Sequence, residues 1–266
     1  MIIIGEKINS TLKLPRKAME QLDAGFIKKL AKNQADAGST FLDVNAGMFL
    51  GAEVEKINWL IKTIEEVTDL PLCIDSPDPK AIEAGIKACK NKGAIINSIT
   101  YEKKRWDEII PIVDEYKAGV VALCMDDGGM PENTEQRVAI ADRLISGLTQ
   151  KGLKLGDIYI DPMVRPIGTG SHYGVVAIET IRKVKQNYPQ VHIACGLSNI
   201  SFGIPSRKTM NQCFLVGAIL AGMDGAILDP LDKKLMSFVY AAEALSGVDD
   251  YCVEYITKFR EGAFDE

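Results

Sequence analysis

Residues 72–97 read LCIDSPDPKAIEAGIKACKNKGAIIN, and this stretch decides the fold. Leu72-Cys73-Ile74-Asp75 is a short apolar run closed by a carboxylate. After Pro79, the residues Ile82, Ile86 and Cys89 return at four- and three-residue spacing, as one buried face of a helix requires. Ala94-Ile95-Ile96-Asn97 is a second apolar run, closed by an amide. Strands that are continuously apolar, not alternating, suit a parallel sheet covered by helices.

The same unit recurs in both directions along the chain. Ile2-Ile3-Ile4 and Thr40 to Val44 precede it; Val120 to Met125, Ile158 to Asp161, Val191 to Gly196 and Ala226 to Asp229 follow. Amphipathic segments separate these runs, among them Phe26-Ile27-Leu30-Ala31-Ala35 and Val54-Ile57-Leu60-Ile61-Ile64. Later helices are expected to begin near Thr134, Val175, Thr209 and Asp232. Eight strand–helix units share 266 residues at about 33 each, which matches a (β/α)8 barrel. An open doubly wound sheet is the competing architecture, but no Gly-x-Gly-x-x-Gly follows the first strand. The expectation is an α/β protein, a single (β/α)8 TIM barrel, with residues 1–266 forming one domain.

Composition excludes several classes of function. With 47% hydrophobic and 25% charged residues the chain is an ordinary globular one, not a disordered one. Thirty-one basic residues against 36 acidic ones, net −5, argue against a nucleic-acid partner. The longest charge-free apolar stretch, Thr209 to Met223, falls short of the roughly 20 residues a membrane span needs. Met1 to Gly5 is followed at once by Glu6 and Lys7, which leaves no room for an export signal, so the cytoplasm is the expected compartment. Six scattered cysteines without a Cys-x-x-Cys pair, and two histidines, give no metal-ligand spacing. No metal site is expected. His192 reads as structural, and His172, on a glycine-bearing loop, as a lid or surface residue.

Polar residues gather where the apolar runs end. These are Glu6 and Asn9, Asp43 and Asn45, Asp75, Asn97, Asp126 and Asp127, Asp161, Ser198 and Asn199, and Asp229. In a barrel the strand C-terminal ends converge on one mouth, where the active site of this architecture lies. Asp75 as a helix cap and Asp161 as a turn former before Pro162 are the plainer alternatives. A set dominated by carboxylates and amides, with Arg207 as the obvious cation, suits a ligand rich in N–H donors. A 2-amino-4-oxo pterin edge is such a ligand. A phosphate ester would call for cations and backbone nests.

The motifs Gly5-Glu6-Lys7-Ile8-Asn9, Leu42-Asp43-Val44-Asn45-Ala46-Gly47, Cys73-Ile74-Asp75-Ser76, Ile96-Asn97-Ser98, Tyr159-Ile160-Asp161-Pro162 and Gly196-Leu197-Ser198-Asn199-Ile200-Ser201 occur in this order. Over essentially the whole chain they resemble the pterin-binding barrel superfamily. Within it the sequence is most similar to the methyltetrahydrofolate:corrinoid protein methyltransferases, with the folate domain of cobalamin-dependent methionine synthase a further relative. The resemblance implies that Asp75, Asn97 and Asp161 anchor the pterin, and that Asn199 is the catalytic residue, hydrogen-bonding near N5 and the transferred methyl. It implies further wall contacts from Gly196, Ser198, Arg207 and Ile227. Phe202 departs from the glutamine of the enzyme that serves the corrinoid iron–sulfur protein and matches an aromatic in methionine synthase.

The implied reaction moves a methyl group between N5 of methyltetrahydrofolate, or tetrahydrofolate in reverse, and the cobalt of a corrinoid. An asparagine amide cannot act as a general acid at neutral pH, so Asn199 is expected to strengthen its hydrogen bond to N5 in the transition state. The proton on N5 would come through water or Asp43. The Asp-x-His-x-x-Gly motif of corrinoid carriers is absent, since Gly170 and Gln190 stand two places before the histidines. Cobalamin is therefore expected on a separate corrinoid protein that docks over the mouth, with no tightly bound cofactor on this chain. A homodimer is implied as well, through the helix from Cys213 to Ala221 or the C-terminal segment. Two alternatives stay open. One is a dihydropteroate synthase-like enzyme, suggested by Ser206-Arg207-Lys208 but not by the second strand; the other is a non-catalytic folate-binding barrel.

Overall fold

The inner wall of the protein is built by period-two alternation along eight strands. In the computed structural model, Ile4, Cys73, Ile95, Val121, Tyr159 and Ala194 pack together as one small cluster, joined by Ile2, Phe41, Leu123 and Ile227. The residues between them point outward into a second, much larger core shared with the helices. Burial on both faces is why the strands read as unbroken apolar runs. The structure describes residues 1–91 and 93–264; Lys92, Asp265 and Glu266, all within the expected domain, lie outside the described residues.

The order along the chain is β1 (Ile2–Asn9), α1 (Lys13–Gln21), α2 (Ala24–Asp36), β2 (Phe41–Asn45), α3 (Glu53–Ile64), β3 (Leu72–Asp75), α4 (Pro79–Ala88), β4 (Ile95–Tyr101) and α5 (Lys103–Tyr116). It continues with β5 (Gly119–Asp126), α6 (Thr134–Gln150), β6 (Ile158–Asp161), α7 (Tyr173–Asn187), β7 (His192–Gly196), α8 (Arg207–Leu220), β8 (Gly225–Leu228), α9 (Lys233–Ser246) and α10 (Val253–Arg260). Each strand pairs with the next in parallel, and β8 returns to β1, with Ile4 opposite Ile227, to close a (β/α)8 barrel. The eight strands fall where the apolar runs predict them. Two helices were not expected: α1, whose buried Pro15, Ala18 and Met19 make too short a pattern to stand out, and α10, which has no buried residue.

Local signals set the connections. Asp78, not Asp75, caps α4 by accepting the Lys80 N–H at 2.9 Å, with Pro79 in the first turn. Asp75 is thereby free of a capping role. Gly85 lies where α4 presses on β3: a Cβ there would stand 2.7 Å from Ile74 Cγ2 and 3.0 Å from Ile57 Cγ2. Gly85→Ala is expected to destabilise the fold by about 1–3 kcal/mol through overpacking. Urea unfolding of the variant measures this, and an unchanged midpoint would count against close α4–β3 packing.

Candidate active site

One inward position beyond the apolar plug, the wall turns polar. Cys73 is followed by Asp75, Ile95 by Asn97, Tyr159 by Asp161, Ala194 by Gly196 and Ile4 by Glu6. β2 turns polar earlier, with Asp43 and then Asn45 after Phe41. Strand register sets neighbours side by side: Asp43 beside Cys73, Asn45 beside Asp75, Asp75 beside Asn97 and Gly196 beside Ile227. The alternation that buries the plug thus delivers these groups to one end of the barrel, the end formed by the strand C-termini.

Hydrogen bonds fix this set. Asn45 donates its amide to Asp75 Oδ2 at 2.8 Å, while its own Oδ1 accepts from Ser10 Oγ at 2.9 Å and the Gly47 N–H at 3.1 Å. Asn97 Nδ2 reaches Asp43 Oδ1 at 3.4 Å. Asp161 Oδ1 accepts the Met163 N–H at 2.7 Å, so one oxygen holds the turn after β6. The turn-forming role considered from sequence is thus real for that oxygen. Lys7 pairs with Asp229 at 2.8 Å.

Asn199 occupies a short 3-10 turn, Leu197–Ser201, directly after β7, and its side chain is exposed. A Cβ on Gly196 would stand 3.1 Å from Asn199 Nδ2, so glycine leaves the amide room beside the strand end. Among the described residues this amide makes no hydrogen bond. Arg207 donates to the Ser198 carbonyl at 2.7 Å and to Ser201 Oγ at 3.0 Å, lies over the Phe202 ring at 5.9 Å, and is close enough to favour the charged form of Glu6. Phe202 itself is 68% exposed on the rim.

Some expected mouth residues are employed elsewhere. Asn9 Oδ1 accepts from Thr11 N and Oγ1 at 2.9 and 2.7 Å, closing its own turn. Asp126 pairs with Arg143 on α6, and Asp127 accepts the Lys103 N–H at 3.2 Å, so the end of β5 contributes Leu123, not a carboxylate, to the inner wall. His172 precedes α7 as an exposed residue against the Tyr173 ring, and His192 pairs with Asp224 at 2.9 Å at the opposite end of the barrel. Sequence reasoning missed Lys7, Cys73 and Arg105. The alternation on β3 carried a signal for Cys73; Lys7 falls out of phase with Ile2, Ile4 and Glu6, in the stretch of β1 where the register shifts, and nothing local marks Arg105.

Burial dominates the electrostatics. Asp43 is 1% exposed, and burial, then the neighbouring Asp75 carboxylate, push its carboxyl well above the usual range despite hydrogen bonds with Cys73 and Asn97. Burial also raises Asp75, against the Asn45 hydrogen bond. Asp161 is pushed up to about 6 by burial, opposed by the Met163 N–H and Arg137, and Glu6 to about 7 by burial and then Asp229, opposed by Lys7 and Arg207. A raised carboxyl keeps its proton in the folded chain after the unfolded chain has lost it. Its contribution is present below the unfolded value and fades as pH rises through about 6 for Asp161 and about 7 for Glu6. Glu6→Gln is therefore expected to raise the melting temperature relative to the original chain more at pH 7.5 than at pH 5. Equal differences at both values would show that Glu6 does not titrate in this window.

Comparison with known proteins shows the family and the fold. The chain matches the family described as "Pterin binding enzyme" over residues 13–229. It is 38% identical over 264 residues to the methylcorrinoid:tetrahydrofolate methyltransferase of Eubacterium limosum, covering 98% of this chain and 97% of the relative. It is 33% identical to methionine synthase of Mycobacterium leprae (strain TN) over 241 residues, which are 86% of this chain but only 20% of that protein. Among solved structures, dihydropteroate synthase of Yersinia pestis superposes with a TM-score of 0.70 at 13% identity, over 93% of both chains. That of Xanthomonas albilineans, in complex with indole-2-carboxylic acid and 6-chloroguanine, gives 0.68 at 17%, over 94% of this chain and 93% of the other. At such identities the likeness is one of fold.

Proposed function

The chain belongs to the pterin binding enzyme family, and on that premise we infer that it is a methyltransferase acting between N5 of a tetrahydrofolate and the cobalt of a corrinoid held by a separate protein. The observation that carries this reading is the joint presence of a buried acceptor, Asp161, two half-buried ones, Asp75 and Asn97, and an uncommitted amide, Asn199, at the strand ends of one barrel. The acceptors suit the N–H-rich pterin edge, and a ligand without those donors leaves buried carboxylates unpaired. Asn45 holds Asp75 for the role, and Gly196 and Ile227 stand side by side on β7 and β8.

In the forward direction the N5–methyl bond breaks as a methyl–cobalt bond forms, and the cobalt(I) electron pair becomes the new bond. N5 takes a proton. Asn199 donates a hydrogen bond to N5 that strengthens as the bond to carbon breaks. Asp43 is sealed behind Asn97 and Cys73, so the more exposed Glu6 is the better route for that proton. By microscopic reversibility the same groups serve transfer to tetrahydrofolate.

The corrinoid protein must bring its cobalt to the methyl, and the segments around the mouth expose apolar side chains for such a partner. Leu14, Met48, Leu50, Met130, Phe202 and Leu231 follow β1, β2, β5, β7 and β8, with Leu50 90% exposed. A homodimer would use the opposite end, where Leu220, Leu245 and Val248 are exposed. No helix among the described residues is long and apolar enough to cross a membrane.

The test mixes the protein with methyltetrahydrofolate and photoreduced cob(I)alamin and follows the methylcobalamin spectrum. Formation of methylcobalamin at a rate proportional to enzyme supports the reading. Tight folate binding without transfer would reduce it to a binding barrel, and pteroate formation from p-aminobenzoate would replace it with the synthase.

A further inference from the structure

Arg105 sits on the first turn of α5, outside the barrel, and its guanidinium is spent entirely on backbone carbonyls. Nε and Nη2 donate to the Ser98 carbonyl at 3.0 and 2.8 Å; Nη2 also reaches the Ser76 carbonyl at 2.9 Å, and Nη1 the Pro77 carbonyl at 2.7 Å. Ser76 directly follows Asp75, and Ser98 directly follows Asn97. One cation therefore ties together the two chain segments that carry adjacent mouth residues.

These carbonyls need an external donor. β3 ends at Asp75, so Ser76 and Pro77 accept no ladder bond there. In β4 the register with β5 shifts between Asn97 and Ile99, which leaves Ser98 out of the pairing. A buried or half-buried carbonyl without a donor is costly, and a planar fork with five N–H groups reaches the three of them from three separate nitrogens in fixed directions, whereas the N–H groups of an ammonium all leave one point. The Ser76 N–H donates to the Asn97 carbonyl at 3.1 Å, and Ser76 Oγ donates to Glu53 at 2.6 Å, so the segment that Arg105 grips is also held from inside.

We propose that Arg105 is a positioning residue for folate binding: by clasping Ser76, Pro77 and Ser98 it sets the direction in which Asp75 and Asn97 present their acceptors to the pterin edge. It touches neither substrate nor reacting atoms. The inference rests on the folate reading above. Its chemical consequence is selective, because Asn199 lies on the β7 side, held by Ser198 to Ser201 and Arg207, with no contact to the clasp. Loss of the clasp misdirects the anchors and spares the group beside N5. Misplacement of acceptors by a fraction of an ångström to one ångström costs roughly tenfold to a hundredfold in the process that depends on them.

The experiment uses the full chain. Arg105→Lys keeps the charge and the aliphatic stem and is expected to fold. Its Kd and KM for methyltetrahydrofolate should rise about tenfold to a hundredfold, with kcat at saturating folate within about threefold of the original. Arg105→Ala should show the same loss, partly restored by millimolar guanidinium and not by ammonium, the readout that a general packing role would not give. The proposal is overturned if Arg105→Lys binds folate like the original protein, or if kcat and affinity fall together with the folded fraction measured by circular dichroism. Failure of the unaltered protein to bind methyltetrahydrofolate overturns the functional reading itself, which keeps the two failures distinct.

Discussion

Asn199→Ala is expected to slow methyl transfer by about a hundredfold to a thousandfold, the usual cost of deleting one hydrogen-bond donor aimed at developing charge. Folate affinity should change by less than about threefold, because the anchors proposed for the pterin edge, Asp75, Asn97 and Asp161, lie on β3, β4 and β6. The structure supports this separation. The Asn199 side chain is exposed on the turn after β7, makes no hydrogen bond among the described residues, and rests beside Gly196, so its removal disturbs no packed partner. Single-turnover transfer to cob(I)alamin, alongside a fluorescence titration of folate, measures both quantities. Equal losses in rate and affinity would remove Asn199 from the transition state and return it to ordinary binding.

Asp161→Asn should weaken folate binding by roughly a hundredfold, since it turns an acceptor into a group that confronts N–H donors with its own. One Asp161 oxygen already serves the Met163 N–H at 2.7 Å, and the asparagine carbonyl will take that position, leaving its amide for the ligand. The loss is expected without a lower melting temperature. Burial makes the Asp161 charge unfavourable and lifts its carboxyl to about 6, so a neutral replacement relieves that cost. In the unaltered protein the same group predicts that folate affinity rises as pH passes upward through about 6, as Asp161 gives up its proton and becomes a full acceptor. Calorimetric titration across that range checks both statements. A variant that binds within threefold of the original would exclude Asp161 from the pterin site.

Much of this protein was legible from local patterns. Runs such as Leu72 to Asp75 and Ile158 to Asp161 are buried on both faces, so strand identity and parallel pairing are written in short continuous apolar segments. The mouth was legible for the same reason in reverse: the first polar residue after each run, such as Asp75 after Ile74 or Asn97 after Ile96, is where the wall leaves the plug. The rule broke at β5, where Asp126 and Asp127 looked equivalent to the others. Alternation turns Leu123 inward there, while the carboxylates engage Arg143 and the start of α5. The short helices α1 and α10 left no pattern because they bury three residues and none.

Charge placement lay beyond sequence reading. The single cation that stood out near the mouth, Arg207, bends back onto Ser198 and Ser201, whereas Arg105 and the fully buried Arg137 hold the loops behind Asp75, Asn97 and Asp161. Neither arginine lies near its target in a motif; Arg137 reaches the Pro162 carbonyl at 2.9 Å from α6, twenty-five positions away. By itself the sequence determined the number of strands, their parallel order and the kind of acceptor that collects at their ends, because these follow from apolar periodicity and from where it stops. Only the tertiary structure decided which carboxylates stand at the mouth, which hold a turn, and how far burial raises them. Those properties depend on closing the barrel and on side chains that meet across it.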